Sequence, residues 1–406
     1  MPVYLLATLD TKGPEAAFVR DRLRELNVDV RLVDTGCLGE PAAPADVSRE
    51  DVFAAAGTSL REMRERNDRG EAVTKAAEGA RVLVRRLFDA GQVDGVLGLG
   101  GSAGTTIATA AMRELPLGVP KVMVSTLASG QTRPYVGGKD VLMLNSVVDI
   151  AGINRISRVV LAEAARATAG MVAFRPAEQP DASDDRPLVA ATMFGVTTPC
   201  VQHARGILEA AGYEVLVFHA TGNGGEAMEG LIADGLFAGV LDITTTELAD
   251  ELVGGILSAG PTRLTAAGRR GIPQVISVGA TDMVNFGADV PKEFDGRKFY
   301  VHNPTVTLMR TTPDENRRLG EEIARKAAAS TGPTAIVLPL KGVSAIDQTG
   351  QPFDDPAARE ELFGSIRRHH GAAELLELPL HINDPEFAEA AARRLIAMMD
   401  LVSGES

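Results

Sequence analysis

Apolar positions at the start of the chain switch between two periods. Val3 to Thr8 is a short continuous run of the kind a buried strand makes. Phe18, Val19, Leu23 and Leu26 then recur at helical spacing, with Pro14 suited to a first helical turn. Val28 to Val33 returns to a strand and ends at Asp34-Thr35-Gly36. Residues 38–70 read as an insertion, in which Ser48 with Asp51 forms a capping box before a short helix. A helix is predicted from Glu71 to Ala90, because Val73, Ala76, Ala80, Leu83 and Leu87 share one face. Val93 to Leu99 is a strand that runs directly into glycines, and Lys121 to Thr126 is the next.

The second half repeats this order. The polar, proline-bearing stretch Pro176 to Pro187 reads as a linker, which divides the chain into residues 1–180 and 181–406. Leu188 to Thr192 is a strand, Gly195 to Pro199 a loop, Ala204 to Ala211 a helix and Tyr213 to His219 a strand. Gly95-Val96-Leu97 is echoed by Gly239-Val240-Leu241, and the run from Gly118 to Ser125 by that from Gly271 to Val278. The pattern predicts an α/β fold: two doubly wound, parallel-sheet, Rossmann-like domains related by duplication, with a cleft between them. Ligand loops then belong at the carboxyl ends of the strands.

A length of 406 residues suits two domains, and 45% hydrophobic residues allow each a core. Aromatic residues are only 4%, with no Trp, so aliphatic side chains must build those cores. The net charge of −13 argues against broad binding to nucleic acid or to a membrane surface. It does not bar an anionic ligand held by backbone N–H groups and one Lys. Cys37 and Cys200 lie far apart without metal spacing and read as reduced thiols. The opening is too short for a signal peptide and no apolar run reaches the ~18 residues of a membrane span, so a cytoplasmic location is expected.

The run from Val93 to Thr105 is the most informative. A strand meets Gly98-Leu99-Gly100-Gly101-Ser102-Ala103-Gly104-Thr105 and then a helix. Glycine lets the backbone approach a phosphate, and a helix N-terminus adds free N–H donors. A tight strand-to-helix turn is the plainer explanation of such a run. No Lys follows as in a Walker loop, and the run is not in the first βα turn where a dinucleotide fingerprint belongs. The missing acidic ribose ligand disfavours an NAD-dependent dehydrogenase. Ser125-Thr126-Leu127-Ala128-Ser129-Gly130 follows the next strand, and Asp10-Thr11-Lys12 follows the first. In a parallel sheet all three loops emerge at one edge. Lys12 can offset phosphate charge, Asp10 can hold Mg²⁺, and Arg69 is a further cation.

On these residues the chain resembles the Tm-one-like ATP-binding family, the tomato mosaic virus inhibitor protein and its bacterial relatives. The matching runs are Asp10 to Lys12, Gly98 to Thr105, Pro120 to Val122, Ser125 to Thr132 and Ser146 to Asn154. In the second half they are Asp242 to Glu247, Asp282 to Gly287 and His302-Asn303-Pro304. The resemblance implies ATP in the first domain, bound through Asp10, Thr11, Lys12, Arg69, Gly100 to Thr105, Ser125, Thr126, Ala128, Ser129 and Gly130. It also implies Mg²⁺ and a homo-oligomer, most simply a dimer. The plant relative carries an added TIM-barrel domain resembling a phosphoenolpyruvate hydrolase; a separate barrel protein is therefore an expected partner here.

In the second half Asp242 and a Thr run stand where the glycines were. Thr245 or Thr246 would cap a helix containing Glu247 and Asp250. Other polar residues end predicted strands: His219, Asn223, Asp242, Thr244, Asp282, Asn285, His302, Asn303 and Lys341. Were all these strands parallel, the groups would converge on one pocket for a small polar molecule or a metal. Each alone is explained as a turn residue. An ATP-dependent enzyme and a nucleotide-binding regulatory protein without turnover both fit this pattern.

Overall fold

The computed structural model describes residues 1–37, 39–130, 132–174 and 186–404. Most of the Pro176–Pro187 stretch lies outside them. The chain divides into two compact units, residues 1–180 and 181–406.

The first unit contains β1 (Val3–Ala7), α1 (Leu9–Glu25), β2 (Val30–Asp34), α2 (Arg49–Ala55), α3 (Leu60–Arg66), α4 (Arg69–Asp89), β3 (Gly95–Gly100), α5 (Ser102–Arg113), β4 (Lys121–Ser125), α6 (Arg133–Val136), β5 (Leu142–Asn145) and α7 (Arg155–Ala173). Its five strands are parallel, in the order β2-β1-β3-β4-β5. One face of the sheet packs on α4 and α5 through Ala76, Ala80, Val84, Ile107 and Met112. The other packs on α1 and α7 through Val19, Leu23, Leu161 and Ala165. Burial on both faces explains why the inner strands β1, β3 and β4 read as largely apolar runs.

The second unit contains β6 (Leu188–Met193), α8 (Thr198–Ala210), β7 (Glu214–His219), α9 (Asn223–Ala233), β8 (Gly239–Thr244), α10 (Thr246–Val253), α11 (Ala266–Arg270), β9 (Gln274–Gly279), β10 (Met283–Phe286), β11 (Phe299–Asn303), β12 (Val306–Arg310), α12 (Pro313–Ala328), β13 (Thr334–Pro339), α13 (Pro356–His369), β14 (Glu374–Leu378) and α14 (Pro385–Ser403). Read from β7, its main sheet runs β7-β6-β8-β9-β13-β14, all parallel. Counting only the strands of each main sheet, the first five share the order 2-1-3-4-5 in both units, and β14 adds a sixth to the second. The echoed sequence runs fall on equivalent strands, β3 with β8 and β4 with β9. The second unit also carries an insertion: β10, β12 and β11 form a separate antiparallel sheet after β9.

Local signals account for several boundaries. Ser48 and Asp51 make the capping box of α2, and Thr312 with Glu315 makes that of α12, where Pro313 follows at the first helical position. Thr245 does not cap α10, because its hydroxyl donates to the Ser277 carbonyl at 3.1 Å instead. The first turn of α1 departs from helical geometry at Lys12 (φ −129°), two residues before Pro14.

Candidate functional site

The carboxyl edge of the first sheet holds a cavity of about 210 Å³. It is lined by Thr8, Asp10, Thr11, Lys12, Cys37, Arg69, Val73, Gly101, Ser102, Ala103, Gly104 and Ile107. Four separate segments supply these residues: the β1–α1 turn, the segment that follows β2, the start of α4, and the β3–α5 turn with the first turns of α5.

Glycines make the β3–α5 turn tight. A Cβ on Gly100 would lie 2.9 Å from the Gly104 Cα, and one on Gly104 would lie 3.0 Å from the Leu99 carbonyl oxygen. These two glycines let the backbone cross itself where the strand becomes helix. Gly101 differs, since a Cβ there would meet only the Thr126 hydroxyl, at 3.7 Å. Gly101 is also the N-cap of α5 and supplies no side-chain cap. Thr105 is the first residue whose N–H reaches back, to the Gly101 carbonyl at 2.8 Å. The amides of Ser102, Ala103 and Gly104 are thus the donors that a helix N-terminus leaves without an intrahelical partner. All three residues line the cavity.

Below the turn, the Thr105 and Ser125 hydroxyls bond to each other at 2.7 Å, both fully buried. Ser125 Oγ also accepts from the Leu127 N–H at 3.0 Å, and the Thr126 N–H donates to the Gly100 carbonyl at 3.3 Å. Thr105 and Ser125 therefore fasten the two loops together beneath the cavity rather than lining it. Ala128, Ser129 and Gly130 continue that second loop outside the cavity wall.

The β1–α1 turn is fixed by a buried acid. Asp34, at the end of β2, accepts from the Leu9 N–H at 3.1 Å and the Gly36 N–H at 2.8 Å, and pairs with the buried Arg49 at 3.2 Å. Burial still holds its pKa above the usual carboxylate value. These commitments matter, because the end of the second strand is where a dinucleotide fold offers its ribose-binding acid. Gly36 has no room for a side chain, whose Cβ would lie 2.8 Å from the Asp10 carboxyl carbon. Asp10 is further held by the Gly39 N–H at 3.1 Å, and the Thr8 and Thr11 hydroxyls bond to each other at 2.8 Å. The Lys12 ammonium donates to the carbonyl of Ile150. Arg69 opens α4 on the exposed rim.

Of the residues expected from sequence, the structure gathers Asp10, Thr11, Lys12, Arg69 and Gly101 to Gly104 around one cavity. Sequence reading missed Thr8, Cys37, Val73 and Ile107. Val73 and Ile107 carry the helical periodicity of core residues, so their pattern says buried, not beside a ligand. Burial among the Asp10 and Asp34 carboxylates pushes the Cys37 thiol up to about 11. Hard oxygen donors at Thr8, Asp10 and Thr11 fit Mg²⁺ in chemical type. Among the described residues there is no group of three or more His, Cys, Asp or Glu that could hold a metal by itself.

The second unit overturns the expected convergence. His302 and Asn303 lie on β11, in the separate antiparallel sheet, where every residue is exposed. His219 is exposed against Phe194, and Asn223 and Lys341 are exposed too. Asp242, Thr244, Asp282 and Asn285 are instead buried within the fold. Arg263 explains part of this. Fully buried, it donates to Asp242 at 2.5 and 2.7 Å and to Glu247 at 2.7 Å. Glu247 also accepts from the Gly222 and Gly225 amides, and Thr192 donates to Asp242 at 2.7 Å. Asn285 donates to Asp250 at 2.7 Å, and burial pushes the Asp250 carboxyl up to about 7. Asp282 accepts from the Ser344 hydroxyl at 2.8 Å. Burial and the neighbouring Asp347 push it up to about 7 as well. Asp242 and Glu247 are thus paired in a core ion cluster at the start of α10, whereas Asp282 Oδ1 and Asn285 Oδ1 are buried without a hydrogen-bond partner.

Comparison with known proteins defines the class. The chain is a two-unit, Rossmann-like α/β protein. Residues 1–177 match the "Uncharacterised protein family (UPF0261) N-terminal domain", and residues 186–399 match the C-terminal domain of the same family. It belongs to the UPF0261 family. A UPF0261 protein of Clostridium tetani is 48% identical over 98% of this chain and 99% of its own length. The ToMV resistance protein Tm-1(GCR237) of Solanum lycopersicum is 42% identical over 96% of this chain, which spans 54% of the tomato protein. Among solved structures, UDP-N-acetylglucosamine 2-epimerase from Rickettsia bellii is similar at 9% identity and a TM-score of 0.23, over 99% of this chain and 98% of that one. Among the described residues, no helix is long and apolar enough to cross a membrane.

Proposed function

We propose that the first unit binds ATP, as its magnesium complex, with the phosphate chain on the Gly101–Gly104 turn. One observation carries the reading: an uncapped helix N-terminus and two cationic side chains, Lys12 and Arg69, line the same cavity. Three aimed amides, a helix dipole and a Lys suit a polyanion even in an acidic chain. At about 210 Å³ the cavity is smaller than a typical pocket for a whole drug-sized ligand, roughly 300–1,000 Å³, and fits the phosphate chain better than the whole nucleotide. Asp10, with the Thr8 and Thr11 hydroxyls, would hold Mg²⁺ together with phosphate oxygens. When bound, the ion would neutralise phosphate charge.

A dinucleotide is disfavoured because Asp34 is spent on Leu9, Gly36 and Arg49. A second reading, a nucleotide-binding protein without turnover, draws on the similarity to the tomato ToMV resistance protein. Under either reading a small polar ligand on the second unit and a dimer of the chain are part of the proposal, as is a separate barrel protein as partner. Titration calorimetry of the full chain with Mg–ATP, AMP and NAD tests the binding: ATP should bind far more tightly than AMP. Tighter binding of NAD than of ATP would refute it. Release of ADP against a panel of small metabolites separates an enzyme from a binding protein.

A further inference from the structure

The Ser146–Asn154 run belongs to the family resemblance, yet the phosphate turn does not use it. It connects β5 to α7, and two contacts tie it to the first turns of α1. The Lys12 ammonium donates to the Ile150 carbonyl, and the Gly152 N–H donates to Glu15 Oε1 at 2.5 Å. Both anchors are unusual. Ile150 is buried, so its carbonyl needs a donor from the protein. Glu15 is buried as well, and its second carboxylate oxygen has no hydrogen-bond partner.

The connection itself is held in a costly shape. Val147 has φ +65°, a left-handed conformation that a β-branched residue rarely adopts. The Ser146 hydroxyl donates to the Val148 carbonyl at 2.7 Å, and the Val147 N–H donates to the Asn145 side chain at 3.2 Å. At the far end, the Asn154 side chain caps α7. A strained loop pinned at several points persists only where its surroundings dictate the shape.

An ammonium has three N–H donors. The Ile150 carbonyl takes one, which leaves donors for an anion in the cavity that Lys12 lines. We infer that the Ser146–Asn154 connection is a strap that positions Lys12 for the phosphate chain, with Glu15 as the positioning residue that holds the strap through Gly152. The inference rests on the polyphosphate reading of the cavity. Lys12 then bridges the anion and the strap, so each stabilises the other. Linkage makes the coupling reciprocal: polyphosphate tightens the strap, and loosening the strap weakens polyphosphate binding.

Hydrogen exchange read by mass spectrometry on the full chain, with and without inorganic tripolyphosphate, is the test, with calorimetric affinities alongside. Tripolyphosphate should slow exchange across residues 146–154 by at least about fivefold, the low end of ordinary site-to-site coupling. Glu15→Ala should weaken tripolyphosphate binding about five- to tenfold and abolish that protection, while calorimetry shows the fold retained. Glu15→Gln, which keeps an acceptor for Gly152 without the buried charge, should bind as the parent does. This rescue separates positioning from charge. Parent-like affinity in Glu15→Ala, with residues 146–154 indifferent to the anion, would overturn the strap and leave the nucleotide reading standing. Failure of the parent to bind either tripolyphosphate or ATP would overturn both.

Discussion

Replacing Gly101 by Val separates binding from folding. The backbone at Gly101 has φ −84°, which any L-residue adopts, and a Cβ there meets only Thr126 Oγ1 at 3.7 Å. The fold therefore accepts the side chain. The cost is that of a poor N-cap residue, about 1 kcal/mol, or a fall in Tm of roughly 2–4 °C for a unit of this size. On the proposed polyphosphate reading, the added methyl groups would stand between the anion and the Ser102 to Gly104 amides. Hydrogen bonds to a charged group are worth about 1.5–3 kcal/mol each. Loss of two predicts a fall in ATP affinity of roughly two to four orders of magnitude, since about 1.4 kcal/mol is tenfold. Titration calorimetry with Mg–ATP and a thermal melt on the same sample measure both numbers. Gly100→Ala is the control: its Cβ would press within 2.9 Å of the Gly104 Cα, so it should lose stability together with binding. Parent affinity in Gly101→Val would refute the assignment of these amides.

Three further outcomes are expected. Arg263→Met strands Asp242 and Glu247 as buried, uncompensated carboxylates, and should cost about 3–5 kcal/mol in denaturant unfolding monitored on the second unit; a loss below about 1 kcal/mol would show that the cluster is not a paired network. Asp282, at about 7, binds its proton more tightly folded than unfolded, so its contribution is fully present below pH ~4 and is lost as pH rises toward 7; Asp282→Asn should flatten that slope in urea midpoints measured from pH 4.5 to 8, and an unchanged slope would refute the assignment. With its thiol at about 11, two units above the ordinary 9.0, Cys37 should react with iodoacetamide at pH 8 about 100-fold more slowly than a free thiol; labelling at the free-thiol rate would contradict the buried setting described here.

Much of the architecture was legible from the chain alone. Buried strands read as apolar runs, helices as periodic stripes, and the capping box at Ser48 marked a true helix start, because all of these depend on neighbours within a few residues. The echo of Gly95 in Gly239 was enough to foresee two doubly wound parallel sheets, but not their strand order. The glycine turn after β3 was legible for the same reason, since close backbone crossing demands Gly100 and Gly104 in place. The fate of the polar residues was not. Asp242 and Glu247 are buried by Arg263, and Asp34 by Arg49; Thr105 spends its hydroxyl on Ser125, and Lys12 reaches Ile150. A charged side chain at a strand end looks the same on paper whether it meets solvent, a ligand or a distant guanidinium. Only the packing of remote segments supplies the partner, and the cost of burying an unpaired charge then decides which role each residue takes.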